Sequence, residues 1–415
     1  MIDKNLRASL HTLVDASRDA RERFLAELVK TPSDNPPGYC AAFAERAAIL
    51  LEGEGFTVER HIVPEEVTRA NGMISATNLI VRHRFGQKSY LGPTIALNAH
   101  GDVVPPGGGW SFDPYGATVQ DGWMYGRGVA VSKSDFATYA FALKALIDSR
   151  AELAGAVELH FTMDEEVGGE IGPRWLLAQG LSKPDYAICA GFSYSVVAAH
   201  NGCLHLEVIV EGRSAHAADP ATGIDALAGA VDILNALYAL RDDYAKHPSK
   251  VAGIGTPNLN VGLISGGINT NVVPDSIRFT LDRRIIPEEN PAEVERDLRA
   301  CIARAAKPDL RVSVRKILLA SPLSSTPQQA PLLAAIQSAA SEIFGEAIAA
   351  TGVPLYTDAR HYAEAGIPVV LYGAGPRSIL EANAHRADER LPLADLHRAT
   401  EVMALALADL LGKTR

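Results

Sequence analysis

With 415 residues, 47% of them hydrophobic, and a mean hydropathy near zero, the chain has material for two or three domains with sizeable cores and does not read as a disordered polymer. A formal net charge of -10, with no local Lys/Arg cluster to offset it, excludes nucleic acid as a natural partner. No run of about 18 apolar residues marks a membrane span, and the charged, helically spaced opening "MIDKNLRASLHTLVDASRDARERFLAEL" lacks the apolar core of a signal segment, so a cytoplasmic protein with no membrane partner is expected.

The opening helix is followed by a Pro/Asn/Gly break at "TPSDNPPG", a helix at "YCAAFAERAAILLEGEG" and strands at "FTVERHIV" and "TIALNAH". After the loop "DGWMYGRGVAVSKSDF" comes the helix "FATYAFALKALIDS", with Phe136, Tyr139, Leu143 and Leu146 at helical spacing, and then the apolar strand "AVELHFT". Strands alternating with helices predict an α/β fold with an open, mostly parallel sheet. Near residue 200 the texture changes. "CLHLEVIVEGRSAH" alternates strictly, and "IDALAGAVDILNALYAL", "NLNVGLISG", "SIRFTLDRRIIP", "AEVERDLRACIARAA" and "RVSVRKIL" complete a βαββαβ order, the pattern of a ferredoxin-like α+β domain inserted into the larger one. The α/β pattern resumes with a helix at "APLLAAIQSAASEIF", a strand at "PVVLYG" and a last helix at "LADLHRATEVMALALADLL". The expected division is 1–202, 203–320 and 321–415, with the two outer segments forming one catalytic domain and the middle one a lid and dimerisation domain. Cys40, Cys189, Cys203 and Cys301 have no CxxC spacing, which predicts reduced, buried thiols and no thiolate metal site.

Three stretches could carry chemistry. "LNAHGDVVP" ends a strand with His100 and Asp102 at the carboxyl edge of the sheet, where open α/β folds place ligands and where a carboxylate can hold the second nitrogen of a metal-ligating imidazole. "FTMDEEVGGE" follows the next apolar strand with Asp164, Glu165 and Glu166 in a row, and adjacent carboxylates at a strand end call for a cation or solvent. "ANAHRADERLP" places His385 in a loop between strand and helix. Taken singly, HxD fits a surface turn as well as a ligand pair, and a loop histidine is more often a plain surface residue.

The order "HGD", "GRG", "DEE", "GRSAHAADPATGIDAL", "GGINTNVVPD", "LDRR", "TDAR" and "AHRADE" resembles the M20 metallopeptidase family of zinc-dependent amidohydrolases across nearly the whole chain. The resemblance implies that His100, Glu166 and His385 are metal ligands, that Asp102 orients His100, and that Glu165 is the general base acting on the attacking water. It further implies that His216 of the inserted domain polarises the scissile carbonyl across a dimer interface. Asn271 and Arg284 would grip a substrate carboxylate, a task that suits a guanidinium fork, with Arg360 a weaker candidate for the same grip.

Two positions depart from the family pattern. Val131 stands where the family has an aspartate bridging two metals, and Gly191 where it has an acidic ligand of the first metal. Neither side chain can coordinate, whereas a catalytic zinc takes about three protein ligands. Asp135, about one helical turn past Val131, and His200 near the start of the inserted domain are candidate replacements; helix-start chemistry beside Ser132 and Ser134, and a hinge hydrogen bond, are their plainer uses. The expected activity is metal-assisted hydrolysis of an amide or peptide bond in a small carboxylate-bearing substrate, such as an N-acyl amino acid or dipeptide. One or two divalent ions, zinc foremost, would serve a homodimer or higher homo-oligomer. A single-metal aminohydrolase and a metal-free binding or scaffold protein remain as alternatives.

Overall fold

The computed structural model describes residues 3–86 and 92–412; Met1 and Ile2 of the opening helical stretch and the last three residues of the second catalytic segment lie outside them. The chain divides into two compact units, one of Met1–Ala198, Ser325–Thr351 and Thr357–Arg415, the other of Ala199–Ser324 and Gly352–Tyr356.

Six neighbouring strands of an eight-stranded sheet run in the order Val58–Ile62, Thr77–Phe85, Gly155–Thr162, Thr94–His100, Tyr186–Cys189, Val369–Leu371. The last four of these are parallel, and the first two join the edge in antiparallel fashion. Gly155–Thr162 is buried at every position and Thr94–His100 at all but its first, which is why both read as apolar runs without alternation: a parallel strand is covered on both faces. The helix Lys133–Ser149 packs on the sheet under the helices Lys4–Ala16, Arg18–Val29 and Leu393–Leu410. Its buried residues therefore run almost all round, beyond the single apolar stripe seen in its sequence. The opening helical stretch is two helices, broken at Ser17, whose hydroxyl turns back to the Val14 carbonyl. Thr77–Phe85 and Tyr186–Cys189 are strands that the sequence pattern did not single out.

The second unit is a four-stranded antiparallel sheet in the order Asn258–Gly266, Ser276–Ile285, Gly202–Glu211, Arg311–Ala320. Alternation sends Leu204, Leu206, Val208, Val210, Phe279 and Leu281 to one face, where the helices Ala226–Tyr244 and Pro291–Ala305 cover them. Asp225 and Asn290 cap those helices by accepting two backbone N–H groups each. This is the βαββαβ arrangement expected of the inserted segment. The backbone of His200 pairs in both directions with Leu323, and its ring Nδ1 lies 2.9 Å from the Asn201 carbonyl. Among the described residues no helix is long and apolar enough to cross a membrane, and all four cysteines are free and buried.

Candidate active site

Strand register assembles the site. Thr94–His100 lies parallel to Gly155–Thr162 with His100 opposite Thr162, so "HGD" and "DEE" leave the sheet side by side at its carboxyl edge. The crossing is tight. Gly101 donates its N–H to the Thr162 carbonyl at 2.8 Å, and a Cβ on Gly101 would lie 2.1 Å from the Phe43 ring, so only glycine fits between strand end and aromatic floor. That floor continues as Phe43 edge-on to Phe136, which stacks on Phe161 at 3.9 Å.

Asp102, fully buried, holds the two motifs together. One carboxylate oxygen accepts the Glu165 N–H and the other the Glu166 N–H, each at 3.1 Å, and the carboxylate also lies 3.3 Å from His100 Nδ1. The same Nδ1 sits 3.0 Å from the Asp102 carbonyl, which leaves His100 Nε2 facing the acids, 3.9 Å from the Glu165 carboxylate. His100, Glu165 and Glu166 each present a ligand atom within 4.8 Å of the others, and His385 Nε2 is 3.2 Å from Glu166. Asp164, the third acid of the triplet, turns inward and accepts the Ile171 N–H at 2.7 Å; it is not a solvated charge.

The electrostatics follow from this crowding. Burial first, with the Glu166 and Asp102 charges added, pushes the Glu165 carboxyl up to about 8 despite the opposing pull of His100 and Arg360. Burial disfavours the charged form of His100, yet the Asp102 hydrogen bond and the surrounding carboxylates hold its pKa well above the usual imidazole range. The hydrogen bond to Glu166 likewise raises His385.

His100, Glu165 and Glu166 offer the nitrogen and oxygen mixture that suits one divalent cation, and His385 stands against Glu166 at the edge of that group. A dinuclear cage does not fit. Val131 and Gly191 offer no donor atoms, and a Cβ on Gly191 would lie 2.8 Å from the Tyr372 nitrogen, leaving no room for a side chain. Asp135 does not replace either one. Its carboxylate accepts the Ala374 N–H at 2.6 Å and the Gly191 N–H at 3.2 Å, bracing two strand-end loops; it neither joins the ligand cluster nor caps its own helix.

Of the remaining expected residues, Arg360 is 2% exposed and turns to the Gly168 carbonyl and to Glu170, beneath the turn that follows Glu165 and Glu166. His216, Asn271 and Arg284 belong to the second unit. His216 and Asn271 are exposed on paired segments, and Arg284 is pinned at 3.0 Å by Asp282.

Two further side chains frame the site. Glu389 accepts the N–H groups of Ala130 and Val131 and forms an ion pair with Arg127 at 2.6 Å, each partner 1% exposed. Arg127 also donates to the Arg386 carbonyl, fastening the turn that carries His385 to the turn that carries Val131. The "GRG" and "ADER" fragments held the signal, but a partner 262 residues away is invisible in either one.

Comparison with known proteins gives the family. The model of peptidase family M20/M25/M40 matches residues 96–409. The chain is 27% identical over 397 residues to a succinyl-diaminopimelate desuccinylase of Gluconacetobacter diazotrophicus, covering 93% of this chain and 96% of that protein. It is 28% identical over 376 residues to an acetylornithine deacetylase of Myxococcus xanthus, covering 88% and 91%. In structure it resembles an M20 family metallo-carboxypeptidase from Sulfolobus solfataricus, with a TM-score of 0.73, 18% identity and 99% of each chain covered. The chain belongs to peptidase family M20/M25/M40 and is a metal-dependent hydrolase of amide or peptide bonds.

Proposed function

We propose that the protein removes an acyl or aminoacyl group from a small carboxylate-bearing substrate, an N-acyl amino acid or dipeptide, with one zinc ion held by His100, Glu166 and His385. The convergence of His100, Glu165 and Glu166 at the carboxyl ends of two adjacent parallel strands carries this reading. A divalent ion bound in that set would supply Lewis acidity to the scissile carbonyl. Glu165 takes the proton from the attacking water and returns it to the leaving nitrogen. Burial raises its proton affinity above that of an ordinary carboxylate, the direction in which a carboxylate better receives a proton from water. Asp102 keeps the Nδ1 side of His100 engaged so that Nε2 faces the cluster.

The similarity to a desuccinylase and a deacetylase supports an N-acylated amino acid as substrate. Arg284 and Asn271 are assigned the grip on its carboxylate, His216 polarisation of the carbonyl in a homodimer, and the buried Arg360 support of the Glu165 turn. The outer segments then form the catalytic domain and the inserted segment the lid and dimerisation domain. Four free, buried thiols support a cytoplasmic setting. The reading is tested by metal content and one variant. Protein purified without chelator should hold one equivalent of zinc per chain and hydrolyse N-acetyl or N-succinyl amino acids. Glu165→Gln should keep the zinc and lose at least about 100-fold in kcat. A metal-free wild type, or a variant that retains its rate, overturns it.

A further inference from the structure

A strap over residues 31–35 lies along the turn that follows His100 and meets Lys133 and Tyr115. Lys133 Nζ donates to the Thr31 carbonyl at 2.9 Å, and the Ser33 hydroxyl to the Gly101 carbonyl at 2.6 Å. Asp34 accepts the Tyr115 hydroxyl at 2.6 Å. The strap then runs alongside the turn after His100: the Val103 N–H meets the Ser33 carbonyl at 3.0 Å and the Asn35 N–H meets the Val103 carbonyl at 2.8 Å.

At the end of this strap Asn35, 1% exposed, donates its side-chain N–H to Asp102 at 2.9 Å, on the carboxylate oxygen that also receives the Glu166 N–H. Its own carbonyl oxygen is buried with no hydrogen-bond partner among the described residues. Leaving an amide oxygen unmet is costly, and turning the amide over would set that oxygen against the Asp102 carboxylate, which is worse. The side chain is thus held for its donor alone. Gly38 completes the seat: at φ +74°, a Cβ there would lie 2.9 Å from the Asn35 oxygen.

We propose that Asn35 is a positioning residue of the metal centre, acting through Asp102. Asp102 accepts from two backbone groups and Asn35 while facing His100, and Asn35 supplies the side-chain donor, on the oxygen other than the one that faces His100. Without it the carboxylate keeps its two backbone donors but loses its side-chain one, and its aim at His100 loosens. Carboxylates that orient metal-bound histidines carry about 10- to 100-fold of metal affinity. A residue that aims such a carboxylate falls at the lower end of that range.

The inference rests on the single-metal reading above, and the experiment separates the two. Zinc affinity is measured by competition with a chromophoric chelator for wild type, Asn35→Ala, Asn35→Asp and Ser33→Ala, alongside urea unfolding of the metal-free proteins. Asn35→Ala should weaken zinc binding about 10-fold, and Asn35→Asp further, because it keeps the shape but turns a like charge on Asp102. Ser33→Ala, which loosens the strap without touching Asp102, should lower stability and leave the affinity of the folded protein unchanged. Equal zinc affinity in wild type and folded Asn35→Ala overturns the proposal, as does an affinity that merely tracks stability across all three variants. Absence of zinc binding in wild type refutes the single-metal reading instead.

Discussion

At the scale of single residues, burial sets the chemistry of this protein more than charge count does. Glu165 and Glu166 are neighbours in sequence, yet they meet different surroundings: Glu165 is pushed up to about 8 chiefly by desolvation, while Glu166 lies against the His385 ring at 3.2 Å. The opposite case is Glu158. Burial opposes its ionisation, but the hydrogen bond from His160, that from Ser182 and the Arg82 guanidinium prevail and lower its carboxyl from 4.5 to about 2. A folded pKa below the unfolded one adds stability that is complete above the unfolded value and is lost as pH falls through the folded one. Glu158→Gln should therefore destabilise the protein by on the order of 1–3 kcal/mol at pH 7. The gap from wild type should close as pH falls from 4.5 toward about 2, read by urea unfolding at each pH. A gap independent of pH would show that Glu158 acts by packing alone.

At the scale of elements, function depends on turns held from a distance. The Arg127–Glu389 ion pair is buried on both sides, so its removal is not a surface event. Arg127→Met leaves a buried carboxylate with only backbone donors and should cost about 3–5 kcal/mol of unfolding free energy, while the double variant with Glu389→Gln should recover part of that loss. Additive losses in the double variant would show that the pair does not act as a unit. The contrast between Asp135 and the expected ligands belongs here too. As the third residue of its helix it has a sequence position that allows either coordination or helix-start bonding. The approach of the 191 and 374 backbones, which no local pattern reports, gives it a third task.

At the scale of the molecule, the second unit exposes what a folded chain normally covers. Its edge strand Asn258–Gly266 and the following turn leave Leu263 at 69%, Ile264 at 56% and Ile268 at 78% exposure, with Leu227 and Val231 of the helix Ala226–Tyr244 also open. An unpaired apolar edge is a template for another strand, and the proposed homodimer would cover it. Leu263→Asp with Ile268→Asp should turn a dimer into a monomer in sedimentation velocity without loss of helical content. A monomeric wild type at micromolar concentration would remove the dimer, and with it the role assigned to His216.

The sequence by itself determined the class of the fold and the βαββαβ pattern of the inserted segment, and it marked His100, Asp102, Glu165 and Glu166 as candidates, because apolar periodicity and motif order survive in one dimension. The same local reading could see that Val131 and Gly191 carry no donor. It could not see that Gly191 has no room for one, that Asp164 turns inward, that Asp135 braces two loops, or that Asn35 and the Arg127–Glu389 pair hold the site. Those outcomes were decided by tertiary structure, since each is a hydrogen bond or close approach between segments distant in the chain, whose geometry exists only once the parallel strands have set their register.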